Sequence, residues 1–173
     1  LAMLLLSMPS LSYASAAPVA GDKIPHNLEA LDQSGEQQSF ESLKGEKGLV
    51  VLFVRSMDWC PYCQKQVMDI NDNMSAFTKA GYNVVSISYD PVETLKSFTD
   101  KHSIGLTLLS DPQSDIIKTF GILNAEQRPG TRFYGIPNPT IYIVNTEGTI
   151  TSVLAEEGYK DRPELQNILE ALE

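Results

Sequence analysis

Apolar stretches alternate with turn-forming polar stretches along most of the chain. Residues 49–54 are continuously apolar and rich in β-branched side chains, as is typical of a strand covered on both faces of a sheet. The apolar residues that follow Cys63 recur at helical spacing as far as Gly81: Val67, Ile70, Met74 and Phe77. This pattern predicts a buried strand, a short loop, and a helix that begins at Cys63 and ends before Gly81.

The same alternation continues to the C-terminus. Further strands are predicted at residues 84–88, 106–109, 140–144 and 149–154, and further helices after Asp90-Pro91, at 114–120 and at 163–172. A turn-rich stretch covers residues 124–139, and residues 17–48 are polar with one short helix near Phe40. The order of these elements predicts an α/β fold with a central mixed β-sheet flanked by helices on both faces.

The first sixteen residues differ from the rest in composition. A short apolar run is followed by the small residues Ala14-Ser15-Ala16, a pattern typical of the end of a secretory signal. We therefore expect residues 1–16 to be the remnant of a signal peptide and residues 17–173 to form a single domain. The implied location is an exported, oxidising compartment, most simply a bacterial periplasm, with no membrane association after signal removal.

Composition narrows the possible partners. The chain has 173 residues with 13 basic and 22 acidic side chains, which gives a formal net charge of -9. A domain of this charge repels phosphate backbones and anionic lipid headgroups, so we expect no nucleic-acid partner and no binding to a membrane surface.

The two cysteines of the chain lie in the motif Trp59-Cys60-Pro61-Tyr62-Cys63, between the predicted strand and helix. Amide groups at a helix N-terminus favour a thiolate over a thiol, and the thiolate is the form that attacks disulfides and peroxides. Pro61 restricts the backbone between the sulfurs, and Trp59 can shield one side of them. Tyr62 is placed to contact either a substrate or the start of the helix.

Three alternatives to a redox site are weaker. A structural disulfide across so short a loop would remove little entropy from the unfolded chain and so contribute little stability. A zinc site needs two more ligands, but His26 and His102 lie at no recognisable spacing, so we expect no metal and no other cofactor. Two inert core thiols are not expected beside a helix end in an oxidising compartment. A redox-active Cys60/Cys63 pair is the favoured interpretation.

Residues 54–65 resemble the peroxiredoxin-like branch of the thioredoxin superfamily, in particular alkyl hydroperoxide reductase/thiol-specific antioxidant (redoxin) domains with a C-P-x-C motif. Residues 84–90, 108–112 and 135–140 match the same domains. The resemblance implies a thioredoxin-like fold for residues 20–172 and an antioxidant enzyme. It also implies a peroxide substrate and a thioredoxin-like or other dithiol as electron donor.

The resemblance to peroxiredoxins assigns roles by position. Cys63 matches the peroxide-attacking cysteine, Cys60 stands where a threonine or serine is usual, and Ser56 stands where a proline is usual. Peroxiredoxins also use an arginine from another strand to stabilise the thiolate. No motif places that residue here, and the candidates are Arg55, Arg128 and Arg132.

The resemblance to thioredoxins reverses the two roles. In the Trp-Cys-x-x-Cys pattern the first cysteine attacks, which would make Cys60 the nucleophile and Cys63 the residue that resolves the mixed disulfide. Pro139-Thr140 resembles the cis-proline segment that faces the disulfide in thioredoxins, so we expect a cis peptide bond before Pro139.

Three functions follow from these observations. The favoured one is a thiol-dependent peroxidase, in which thiolate attack gives a sulfenic acid that condenses with the second cysteine. An alternative is a disulfide exchanger that acts on exported protein thiols without a peroxide step. A second alternative is a non-catalytic binding module on a thioredoxin scaffold. The first two functions use the same two sulfurs.

Overall fold

A computed structural model describes residues 16–158 and 160–173 of the chain. Residues 1–15 of the predicted signal segment therefore lie outside the described residues. Within the described ranges, no helix is both long enough and apolar enough to cross a membrane.

The sheet of the described residues has seven strands in the order β2-β1-β5-β4-β3-β6-β7. The strands are β1 (Ala30–Asp32), β2 (Gln37–Gln38), β3 (Gly48–Phe53), β4 (Tyr82–Ser88), β5 (Thr107–Ser110), β6 (Thr140–Asn145) and β7 (Ile150–Leu154). Strands β3, β4 and β5 run parallel, whereas β6 pairs antiparallel with β3 and β7, and β1 pairs antiparallel with β5 and β2. The sheet is therefore mixed, as the order of elements predicts.

Helices cover both faces of this sheet. They are α1 (Phe40–Leu43), α2 (Pro61–Asp72), α3 (Met74–Ala80), α4 (Val92–His102), α5 (Asp115–Thr119) and α6 (Leu165–Glu170). Side chains alternate along β3, so Val50 and Leu52 pack with residues of α2, α3, α4 and α6, while Val51 and Phe53 pack with residues of α1 and α5. The apolar run at residues 49–54 is thus buried on both faces, and the predicted α/β architecture of a mixed sheet flanked by helices on both faces is confirmed.

Two features of the fold were not predicted. The short antiparallel pair β1 and β2 lies in the polar N-terminal stretch, where so few residues leave no periodic pattern to read. The helix predicted from Cys63 to Gly81 is two helices, because the chain leaves helical geometry at Asn73. The Asn73 side chain donates to the carbonyl of Asp69 at 2.8 Å, and such a local polar contact competes with the helical hydrogen bonds.

Candidate active site

The two cysteines lie where β3 ends and α2 begins, at the carboxyl edge of the parallel strands. Cys60 is the N-cap of α2 and Pro61 is its first residue, a position where the missing N–H of proline costs nothing. The helix therefore starts two residues earlier than the apolar spacing predicts. Cys60 and Cys63 form a disulfide with Cα atoms 5.3 Å apart, and both side chains are fully buried.

The sulfur of Cys60 lies at the N-terminus of the helix. The backbone N–H of Cys63 donates to the Sγ of Cys60 at 3.3 Å, so the Cys60 sulfur occupies the place of a capping oxygen. This N–H and the helix dipole both favour negative charge on the Cys60 sulfur when the disulfide is broken.

The sulfur of Cys63 is contacted by an arginine that sequence reasoning missed. The Nη2 atom of Arg162 donates to the Sγ of Cys63 at 3.4 Å, and the backbone N–H of Arg55 donates to the same sulfur at 3.4 Å. Burial and the neighbouring Arg55 lower the pKa of Arg162. Arg162 follows β7 in an irregular segment, and no motif marks it. The only signal in the sequence was that Arg162 is a basic residue in the short stretch before the last helix.

The three arginines named from the sequence have other partners. The guanidinium of Arg55 stacks over the Trp59 ring at 4.9 Å, and that of Arg132 lies 5.9 Å from the same ring. Arg128 is exposed, and its carbonyl accepts from the N–H and the hydroxyl of Thr131 in a surface turn. Of these arginines, only Arg55 contributes an atom to the described contacts of the Cys63 sulfur, and that atom belongs to its backbone.

An aromatic wall formed by Trp59, Tyr89 and Phe133 stands next to the disulfide loop. The indole N–H of Trp59 donates to the hydroxyl of Tyr89 at 2.9 Å, and this hydroxyl donates to the carbonyl of Arg132 at 3.0 Å. The rings of Trp59 and Phe133 meet edge to face at 4.7 Å. Trp59 thus connects the motif to the turn-rich stretch at residues 124–139.

A buried carboxylate holds the loop that leads into the motif. Asp90 accepts from the hydroxyls of Ser56 and Ser88, each at 2.7 Å, and from the N–H of Met57 at 2.6 Å. Ser56 in turn accepts from the N–H of Asp58 at 3.0 Å. Burial raises the pKa of Asp90 despite these donors. Ser56, at the position where peroxiredoxins usually have a proline, therefore shapes the loop by hydrogen bonds rather than by a rigid ring.

The predicted cis-proline is wrong. Among the described residues there is no cis peptide bond, so the chain is trans before Pro139. The residues on both sides of Pro139 are held by backbone contacts. Thr140 is the first residue of β6 and pairs with Phe53, and the N–H of Asn138 donates to the carbonyl of Ile122 at 2.7 Å. A chain held in place on both sides of the proline keeps the extended trans form that is intrinsically preferred. Thr140 is buried at the edge of the sheet where β3 ends, while Pro139 is only partly covered.

Tyr62 is partly exposed at the start of α2. Its side chain is 39% exposed and lines an open cleft between α2 and the segment that carries Arg162. Across the described ranges, no group of three or more histidine, cysteine or acidic side chains is arranged to hold a metal ion. The site offers two linked sulfurs, a cation at one of them and a helix N-terminus at the other.

Comparison with known proteins places these residues in a family. Residues 20–153 match the AhpC/TSA family. Peroxiredoxin Bcp of Escherichia coli (strain K12) is 32% identical over 134 residues, which is 78% of this chain and 83% of that protein. Peroxiredoxin Q of the Triticum aestivum chloroplast is 30% identical over 132 residues, covering 76% of this chain and 57% of that one.

Solved structures share the fold. Peroxidoxin BcpB from Mycobacterium tuberculosis superposes with a TM-score of 0.74 at 24% identity, covering 89% of this chain and 94% of that one. A peroxiredoxin-like protein from Aquifex aeolicus superposes with a TM-score of 0.78 at 19% identity, covering 92% and 88%. At these sequence identities the superpositions show only that the fold is shared.

Proposed function

Because the chain belongs to the AhpC/TSA family, within the peroxiredoxin-like group of the thioredoxin superfamily, we propose that it is a thiol peroxidase that uses Cys60 and Cys63. The arrangement that supports this most directly is a disulfide at a helix N-terminus with an arginine on one of its sulfurs. The two alternative functions, disulfide exchange on exported proteins and non-catalytic binding, gain no support from the relatives, whose names are those of peroxiredoxins.

Cys63 is the peroxide-attacking residue in this proposal. A guanidinium and a backbone N–H 3.4 Å from its sulfur stabilise the thiolate of the reduced protein. That thiolate attacks the terminal oxygen of a hydroperoxide, the O–O bond breaks, and the electron pair leaves with the other oxygen, which takes up a proton. Cys63 becomes a sulfenic acid, and the peroxide becomes water or an alcohol. Arg162 also lies where it can donate to the peroxide oxygens.

Cys60 resolves the sulfenic acid. Its sulfur attacks the Cys63 sulfur, hydroxide leaves as water after protonation, and the disulfide seen in the structure forms. The two Cα atoms are 5.3 Å apart across one helical turn, so the closure needs no rearrangement of the sheet. A thioredoxin-like reductant restores the two thiols by disulfide exchange.

The direction of attack is testable with single variants. Cys63→Ser should abolish oxidation by hydrogen peroxide, whereas Cys60→Ser should still consume one equivalent of peroxide and leave a sulfenic acid on Cys63. Dimedone labelling followed by mass spectrometry measures this adduct, and the double serine variant is the control. Dimedone labelling of Cys60 in Cys63→Ser, with none in Cys60→Ser, would instead assign the first attack to Cys60, as in thioredoxins.

Export of the chain stays a separate proposal. It rests on the apolar run and the small residues before position 17. Fusion of residues 1–30 to a periplasmic reporter enzyme, with Ala14 and Ala16 replaced by arginine as the control, tests it. Cytoplasmic retention of the unchanged fusion would contradict it.

A further inference from the structure

A cleft of about 300 Å³ opens beside the Cys63 sulfur, between α2 and α6, and is named the α2–α6 cleft below. Its wall includes the side chain of Arg162, which also contacts the Cys63 sulfur. Ile70 and Ile168 give it an apolar floor, and Lys65 and Lys160 stand on its rim. Because Arg162 belongs to both the cleft and the sulfur contact, a molecule in the cleft lies one side chain away from the disulfide.

One polar atom of the cleft has no hydrogen-bond partner among the described residues. Gln66 follows Cys63 by one turn of α2, lines the cleft, and has a side chain that is only 8% exposed. In the part of the chain that the structure describes, its Nε2 atom makes no hydrogen bond. A buried amide without an acceptor is costly, so it indicates a ligand that supplies one.

The charges of the cleft favour an anion. Three cations line it, Lys65, Lys160 and Arg162, against the two carboxylates Asp69 and Glu164. This local excess of positive charge stands out in a chain whose net charge is -9. Asp69 is already paired with Lys65 along the helix, and Asp161, which acts electrostatically on Arg162, does not line the cleft. Such a surface raises the local concentration of small anions.

We infer that the α2–α6 cleft binds a small anionic thiol, which acts as a reductant of the Cys60–Cys63 disulfide. This inference rests on the proposed function, since it names a reductant for the same disulfide. Both sulfurs are fully buried, and Arg162 is the side chain that touches both the cleft and the Cys63 sulfur, so the thiol enters beside Arg162. The carboxylate of the thiol is attracted by Lys65 and Lys160 and accepts from the Gln66 amide, and its thiolate lies near the Arg162 guanidinium.

The reduction proceeds through a mixed disulfide on Cys63. The thiolate of the first molecule attacks the Cys63 sulfur, the Cys60–Cys63 bond breaks, and the electron pair leaves on Cys60. The Cys63 N–H and the helix N-terminus stabilise that leaving thiolate. A second thiol attacks the sulfur of the bound first one, which releases a small-molecule disulfide and the Cys63 thiolate. Two small thiols are oxidised to one disulfide, one protein disulfide is reduced, and the two protons of the small thiols end on Cys60 and Cys63.

Reduction rates with three small thiols of different charge test the inference. Mercaptopropionate, mercaptoethanol and cysteamine are mixed with the oxidised protein, and Trp59 fluorescence follows the opening of the disulfide. With rates expressed per thiolate and corrected for thiol basicity, the anionic thiol should react about tenfold faster than the neutral one, and the cationic thiol slower still. Added salt should shrink these differences.

Matched lysine variants locate the effect. Lys160→Gln should lower the rate with mercaptopropionate about threefold more than it lowers the rate with mercaptoethanol. Lys65→Gln, which loses a helical ion pair with Asp69, is compared with Lys96→Gln, which loses the equivalent pair with Asp100 on α4. Only the former should reduce the preference for the anionic thiol.

Two results would overturn the inference: equal corrected rates for the three thiols, or reduction by a protein dithiol such as thioredoxin alone. The thiol series uses the unmodified protein, so it decides the matter even where a variant fails to fold. Oxidation of the reduced protein by hydrogen peroxide is measured separately. Slow oxidation by hydrogen peroxide would contradict the proposed peroxidase function. The thiol series would still measure whether the cleft prefers an anionic thiol.

Discussion

Removal of the Arg162 guanidinium should slow peroxide reduction by depleting the Cys63 thiolate. The perturbation is Arg162→Gln in a Cys60→Ser background, where Cys63 is the only thiol of the chain. Arg128→Gln is the matched control, because Arg128 is an exposed arginine in a surface turn.

The magnitude follows from the contact between Arg162 and the Cys63 sulfur at 3.4 Å. A hydrogen bond to a charged group contributes a net of about 1.5–3 kcal/mol, so its loss lowers the thiolate population about tenfold to a hundredfold when most of the thiol is protonated. A more basic thiolate is a better nucleophile, and this offsets about half of the effect on a logarithmic scale. The expected loss in the rate of oxidation by hydrogen peroxide is therefore about threefold to tenfold.

The assay is stopped-flow oxidation over a range of pH, together with the ultraviolet absorbance of the thiolate. The gap between Arg162→Gln and the parent protein should close and then reverse as the pH rises, because both thiols are then ionised and the more basic thiolate of the variant is the better nucleophile. An unchanged thiolate titration in Arg162→Gln, or a rate loss of the same size at every pH, would refute the reasoning. Arg128→Gln should follow the parent at every pH.

Two further predictions concern the frame of the site. Burial raises the pKa of the Asp90 carboxyl, so the folded protein still holds this proton at a pH where the unfolded chain has released it. The free energy of unfolding that Asp90 contributes therefore falls as the pH rises above about 4, the usual pKa of an aspartate. Urea unfolding should show this slope weakened in Asp90→Asn but not in Asp100→Asn. Gly48→Ala should destabilise by about 2 kcal/mol or more in the same assay, because its Cβ would lie 2.0 Å from the carbonyl of Val144, whereas Gly105→Ala meets only open space and a side-chain oxygen at 3.6 Å.

Local patterns in the sequence were sufficient for the architecture and the reacting atoms. The apolar run at residues 49–54 predicted the central strand because a strand with helices on both faces has no polar side. The spacing of Cys60 and Cys63 between that strand and a helix predicted the redox pair, because a separation of three positions at a helix start brings two sulfurs within bonding distance. These features depend on neighbours in the chain, and so they can be read from it.

Contacts between distant residues were decided by the tertiary structure alone. Arg162 lies 99 positions from Cys63, and Asp90 lies 34 positions from Ser56, yet both pairs are in contact. The bond before Pro139 is trans because pairing on both sides sets the path of the chain, whatever the local motif suggests. No periodicity encodes such contacts, since they arise from how the sheet brings its loops to one edge. The sequence determined which two sulfurs form the disulfide, and the packing of the sheet determined which cation contacts the Cys63 sulfur.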